Sequence, residues 1–119
     1  LYASTSGQYI IGIAGWNVGD MRLDSVDIIV DGMDAACIWL ERIHDDCYID
    51  RCDVTNNSTT YTRRDYFNNG GITVAQDYGS VDTAHAIITN SKVLKTPHHA
   101  IAGSGAGFST KIEYCSLWV

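Results

Sequence analysis

Basic residues are scarce in this chain: eight Lys and Arg stand against fourteen Asp and Glu, a net charge of −6. That balance excludes a nucleic-acid backbone as partner, since phosphate binding relies on clustered Lys and Arg. Proline is almost absent, with Pro97 alone, and no run approaches the ~20 apolar residues of a membrane helix, so a soluble chain without membrane insertion is expected. The four cysteines, Cys37, Cys47, Cys52 and Cys115, contain no CxxC pair, which removes a zinc-thiolate site. A disulfide such as Cys37 to Cys47 stays open, as in exported proteins.

What the chain does have is 45% hydrophobic residues, eleven glycines, and many Asn, Asp, Ser and Thr. This is the composition of a folded protein of short strands and frequent corners. One six-residue pattern recurs four times: Leu23-Asp-Ser-Val26-Asp-Ile28, Ile49-Asp-Arg-Cys52-Asp-Val54, Ile88-Thr-Asn-Ser91-Lys-Val93 and Ile112-Glu-Tyr-Cys115-Ser-Leu117. The copies begin 26, 39 and 24 residues apart, the period of a solenoid whose coils bury an apolar face against their neighbours. Within each copy Cys52 and Cys115 fall opposite Val26 and Ser91, as small inward groups of the stack.

A second element follows each corner, around Cys37-Ile38-Trp39-Leu40, Gly71-Ile72-Thr73-Val74 and His99-Ala100-Ile101-Ala102, with Ile11-Gly12-Ile13 as an earlier copy. Its period of two is that of a strand with one buried face. The expected fold is all-β: a right-handed, single-stranded parallel β-helix of about four coils spanning 1–119 as one segment. The coil after the second corner carries roughly thirteen extra residues around 58–69. Insertions of this kind emerge as loops on one side of a solenoid, frequently the binding side. Neither end carries a polar or helical cap, so the chain is expected to be part of a longer solenoid or to stack end to end.

Stacking the corners places Asp24 over Asp50 and Asp27 over Asp53, roughly 5 Å apart in register. Close carboxylates repel unless a cation intervenes, so these four are candidate calcium ligands. A pair at that spacing also suits the acid and nucleophile of a retaining glycosidase. Trp39 is expected to point outward, near Asp45 and Asp46 and the loop bearing Arg63, Arg64 and Tyr66. An indole that stacks on a pyranose beside carboxylates that accept hydroxyl bonds is a glycan-binding combination. Asn56-Asn57-Ser58-Thr59 holds overlapping glycosylation sequons. An ice-binding face would need a regular Thr array; the outward column reads Gly12, Trp39, Thr73 and Ala102, which is not one.

The corners of the form Ile-x-Asn-Cys/Ser-x-Val, followed by Gly-Ile-x-Val strands, resemble the repeats of the pectate-lyase-like superfamily of right-handed parallel β-helices, from about Gly7 to Val119. That resemblance implies a scaffold shared by polysaccharide lyases, glycoside hydrolases, epimerases, tailspikes and structural solenoids. Against the hydrolase members' motifs, His44-Asp45-Asp46 supplies an Asp-Asp pair and His98-His99-Ala-Ile-Ala-Gly103 is similar to the histidine element, while Arg-x-Lys is absent. Pro97-His98-His99 is similar to the Asp-Pro-His of alginate epimerases, with Thr96 in place of the acid. The resemblance therefore makes Asp45, Asp46, His98 and His99 the candidate catalytic residues.

Two functions are expected. One is a β-helix at the cell exterior, cell surface or virion surface that binds or modifies a polysaccharide, as a lyase, hydrolase, epimerase or tailspike. The other is a structural subunit of a fibre, spike or filament, self-associating through its ends or as a trimer.

Overall fold

One residue at each corner of the chain adopts a left-handed backbone, and these corners stack. Ser25, Arg51, Asn90 and Tyr114 have φ of 57°, 52°, 48° and 55°. This conformation is uncommon outside glycine. Here it turns the chain through a tight bend and aims each amide at the next coil: Ser25 N donates to Asp50 O (3.0 Å), Arg51 N to Thr89 O (3.1 Å) and Asn90 N to Glu113 O (3.1 Å). The bend recurs because the sequence pattern recurs.

The computed structural model describes residues 1–58, 70–75, 84–97, 99–104 and 108–118. Among the described residues are eleven strands and no helix: β1 (Tyr2–Trp16), β2 (Met21–Asp24), β3 (Asp27–Glu41), β4 (Cys47–Asp50), β5 (Asp53–Asn56), β6 (Gly70–Ala75), β7 (Ala84–Thr89), β8 (Lys92–Lys95), β9 (His99–Ser104), β10 (Phe108–Glu113) and β11 (Ser116–Leu117). Every pairing among them is parallel. The expected all-β parallel solenoid is the observed fold, with about three turns. That is one fewer than the expected four or so, because β1 and the β10–β11 segment each supply only part of a coil. The long insertion at 59–69 lies outside the described residues.

Three faces result. The first stacks β2, β4, β7 and β10. The second stacks the start of β3 with β5, β8 and β11, and the third stacks the end of β3 with β6 and β9; β1 runs beside β3 along both. Each face contributes an aliphatic ladder to the interior: Leu23, Ile49, Ile88 and Ile112 on the first, Ile28, Val54, Val93 and Leu117 on the second, and Ile13, Ile38, Ile72 and Ile101 on the third. The middle rungs are essentially inaccessible to water. Burying each such side chain contributes about 1.5–3 kcal/mol, which is what holds coil to coil.

Small residues fill the corners. At the first, Ser91 Oγ donates to Thr89 O (2.8 Å) and accepts from Cys52 N (3.0 Å), while the thiols of Cys52 and Cys115 point at Asp50 O and Glu113 O (3.3 Å each). At the second to third corner, a Cβ on Gly12 would stand 2.7 Å from Cys37 O, and one on Gly71 2.7 Å from Ala100 O. Gly12 therefore faces the interior, correcting the outward column in which the sequence placed it; the neighbour of Trp39 is Ala14. All four cysteines are free thiols, so the Cys37–Cys47 bridge is not formed: one sits at a corner, the other on the first face. Burial pushes the Cys37 thiol up to about 12. Asn56 is buried too, its amide donating to Ala35 O (2.5 Å) and Gly70 O (3.1 Å), which makes it a structural corner rather than a glycosylation site.

Candidate functional site

Alternation along the first face turns Arg22 and Asp24 of β2, Tyr48 and Asp50 of β4, His85, Ile87 and Thr89 of β7, and Lys111 and Glu113 of β10 to the outside. The expected stacking of Asp24 over Asp50 is present as a register pair. Arg51 neutralises both: its Nη2 lies 2.5 Å from Asp24 Oδ2 and its Nη1 3.0 Å from Asp50 Oδ2. Hydrogen bonds from Asn90 Nδ2 (2.8 Å) and Thr89 Oγ1 (2.7 Å), and then the Arg51 charge, hold the Asp50 carboxyl below the usual carboxylate value. Arg22 is engaged elsewhere, 4.9 Å from the centroid of the Tyr48 ring.

Asp27 and Asp53 are likewise register partners, at the start of the second face, and Lys92 Nζ lies 3.4 Å from Asp53. They border a shallow depression of about 190 Å³ with Ile29, Thr55 and Leu94. The four carboxylates read as calcium ligands thus form two pairs on either side of a corner, each with a basic side chain. No group of three or more His, Cys, Asp or Glu able to hold a metal ion occurs among the described residues.

Of the residues read as catalytic, Asp45 and Asp46 lie in the turn leading into β4. Asp45 Oδ1 accepts from Asp46 N (3.0 Å), and Asp46 Oδ1 lies 2.7 Å from His85 Nδ1. His99 is on the third face, its Nε2 3.2 Å from Thr73 Oγ1, and its ring fills the space a Cβ at Gly70 would need. His99 is not the partner of Asp46, since its ring contacts Thr73, and His98 lies outside the described residues. So do Arg63, Arg64 and Tyr66.

Trp39 is outward, as expected, but half-buried. Its neighbour Ala14 is small, and Trp16 pairs with Glu41 two residues further on, so the two indoles flank a space that neither fills. The result is a cavity of about 280 Å³ lined by Ile11, Ala14, Gly15, Trp16, Trp39 and Glu41. The Arg42 guanidinium sits 4.6 Å from the Trp16 ring centroid. Sequence reasoning missed Trp16, Glu41, Arg42 and His85. The signal for Trp16 was its place in the copy preceding Trp39, and that for His85 was its position three residues before Ile88, as Asp46 is three before Ile49.

Comparison of the chain with known protein families, with curated proteins and with solved structures finds no match.

Proposed function

We propose that this solenoid binds a polysaccharide through the groove between Trp16 and Trp39. The observation carrying the reading is that groove itself: two indoles on adjacent coils, one of them 63% exposed, with the Glu41 carboxylate on its wall. An indole face packs against the apolar face of a pyranose, and a carboxylate accepts bonds from its hydroxyls. Arg42, stacked on Trp16, holds that ring flat and adds a donor near the groove. A run of sugar rings along the coil axis fits a solenoid face better than a globular ligand does. The resemblance to the pectate-lyase-like superfamily points the same way, toward an extracellular, cell-surface or virion-surface glycan, bound or turned over by a lyase, hydrolase, epimerase or tailspike. Asp45 and Asp46, at the turn that follows the groove strand, are the acids for any such turnover.

The test is tryptophan fluorescence titrated with a panel of polysaccharides. Trp39→Ala is expected to weaken binding at least about tenfold, ~1.4 kcal/mol, whereas Trp118→Ala leaves it intact. Unaltered affinity in Trp39→Ala would place the glycan elsewhere.

A structural solenoid is the second reading. It is favoured by the exposed rungs Ile112 and Leu117, 43% and 45% accessible, which a second copy stacked in register would bury. Sedimentation separates the two: concentration-dependent assembly without glycan binding moves the structural reading ahead.

A further inference from the structure

Three neighbouring strands of the first face bring an acid, an imidazole and a hydroxyl into one outward row. Cys47 pairs with Ala86, which sets Asp46 beside His85, and His85 is itself the register partner of Ser109. The three share one place in the repeat, three residues before Ile49, Ile88 and Ile112. We propose that Asp46, His85 and Ser109 form an acyl-transfer triad that hydrolyses carboxylic esters of small acyl groups, such as O-acetyl esters. This inference stands on the first face and does not use the aromatic groove on the third; Asp46 is the one residue it shares with the proposed glycan turnover.

The chemistry follows from which nitrogen is committed. An ionised carboxylate only accepts, so the 2.7 Å contact fixes the proton on His85 Nδ1 and leaves the lone pair on Nε2. Nε2 makes no hydrogen bond to a described residue, and Ser109 is on the next strand, ~4.8 Å away, pointing to the same side. Rotation about the Ser109 side chain closes that gap; in free enzymes the bond between nucleophile and base is commonly long and tightens on substrate. As a stabilising element the Asp46–His85 pair contributes little, because both side chains are about two-fifths exposed. Its physical effect is to orient the ring. Lys111, two residues beyond Ser109 on the same side, rests 3.1 Å from Glu113 Oε2, a weak exposed pair that it leaves to supply positive charge for the oxyanion. Neither cavity lined by described residues lies beside Ser109, so the site as described matches a small acyl group.

In the reaction Ser109 Oγ attacks the ester carbonyl carbon as its proton passes to His85 Nε2, and Asp46 stabilises the imidazolium. Collapse breaks the bond to the alcohol oxygen, which leaves with the proton from Nε2. Water then repeats the sequence on the acyl-serine, releasing the carboxylic acid and restoring the hydroxyl.

The experiment treats the intact chain with a fluorophosphonate probe, which esterifies an activated serine with loss of fluoride, and follows 4-nitrophenyl acetate hydrolysis in parallel. One adduct per chain is expected, mapping to Ser109 and absent in Ser109→Ala. Labelling and hydrolysis should both fall about 100-fold or more in His85→Ala, and by a smaller factor in Asp46→Asn. Circular dichroism establishes that each variant keeps its sheet. A folded wild-type chain that takes up no probe, or an adduct that persists in Ser109→Ala, overturns the triad. Neither result bears on glycan binding by the Trp16–Trp39 groove.

Discussion

Asp50 accepts hydrogen bonds from Thr89 and Asn90 of the next coil, and Arg51 adds its charge. Its carboxyl is consequently held below its ordinary value in the folded chain. A group with a depressed folded value contributes stability above its unfolded pKa and loses that contribution as pH falls through the folded one. The loss therefore lies at and below the ordinary Asp value near pH 4. Asp50→Asn keeps an acceptor for Thr89 and Asn90 but cannot titrate. Urea midpoints measured at pH 7 and pH 3 should fall less in this variant than in the wild-type chain; an equal fall would assign the acid sensitivity to other carboxylates. The same residue shows how far single positions were legible. Stacked aspartates were readable from the repeat, but their neutralisation by a corner arginine was not, because only the left-handed backbone at Arg51 brings that side chain back over Asp24.

Strands and corners obey two different rules, and the difference accounts for what the sequence did and did not disclose. Along β4 and β7 burial alternates strictly, so the aliphatic ladder and the outward row could both be read with a period of two. At the bend inside β3, Cys37 and Ile38 are consecutive and both fully buried, so alternation slips by one residue. That slip is why Gly12 was assigned to the wrong side while Trp39 was assigned correctly. The bend also dictates small side chains. A Cβ on Gly71 meets Ala100 O at 2.7 Å and Val93 Cγ1 at 2.8 Å, one contact being backbone and the other core. Gly71→Val is thus expected to destabilise the chain by ~1–3 kcal/mol through overpacking, seen as a lower urea midpoint. An unchanged midpoint would mean that the corner opens without cost and does not set the shape of the coil.

At the scale of the molecule, the candidate sites exist only through register. Asp46, His85 and Ser109 are far apart in the chain, and Trp16 and Trp39 belong to different coils; stacking alone makes them neighbours. The repeat made the fold readable, yet a site assembled across coils becomes visible only once each strand is aligned with the next. The whole-molecule charge then constrains what such a site accepts. With a net charge of −6 the field around the solenoid repels polyanions, and the groove is walled by indole rings and one carboxylate. For a glycan in the groove, neutral polysaccharides are thus favoured over polyuronates of equal length. Affinity electrophoresis through gels containing a neutral or a uronate polymer measures this directly. Binding of the neutral polymer should be insensitive to added salt, because stacking carries no net charge. Any retention by the uronate should strengthen as salt screens repulsion over a Debye length of ~10 Å at 0.1 M. Tight uronate binding that weakens with salt would require a local basic surface to dominate the overall charge, and would shift the glycan away from the Trp16–Trp39 groove.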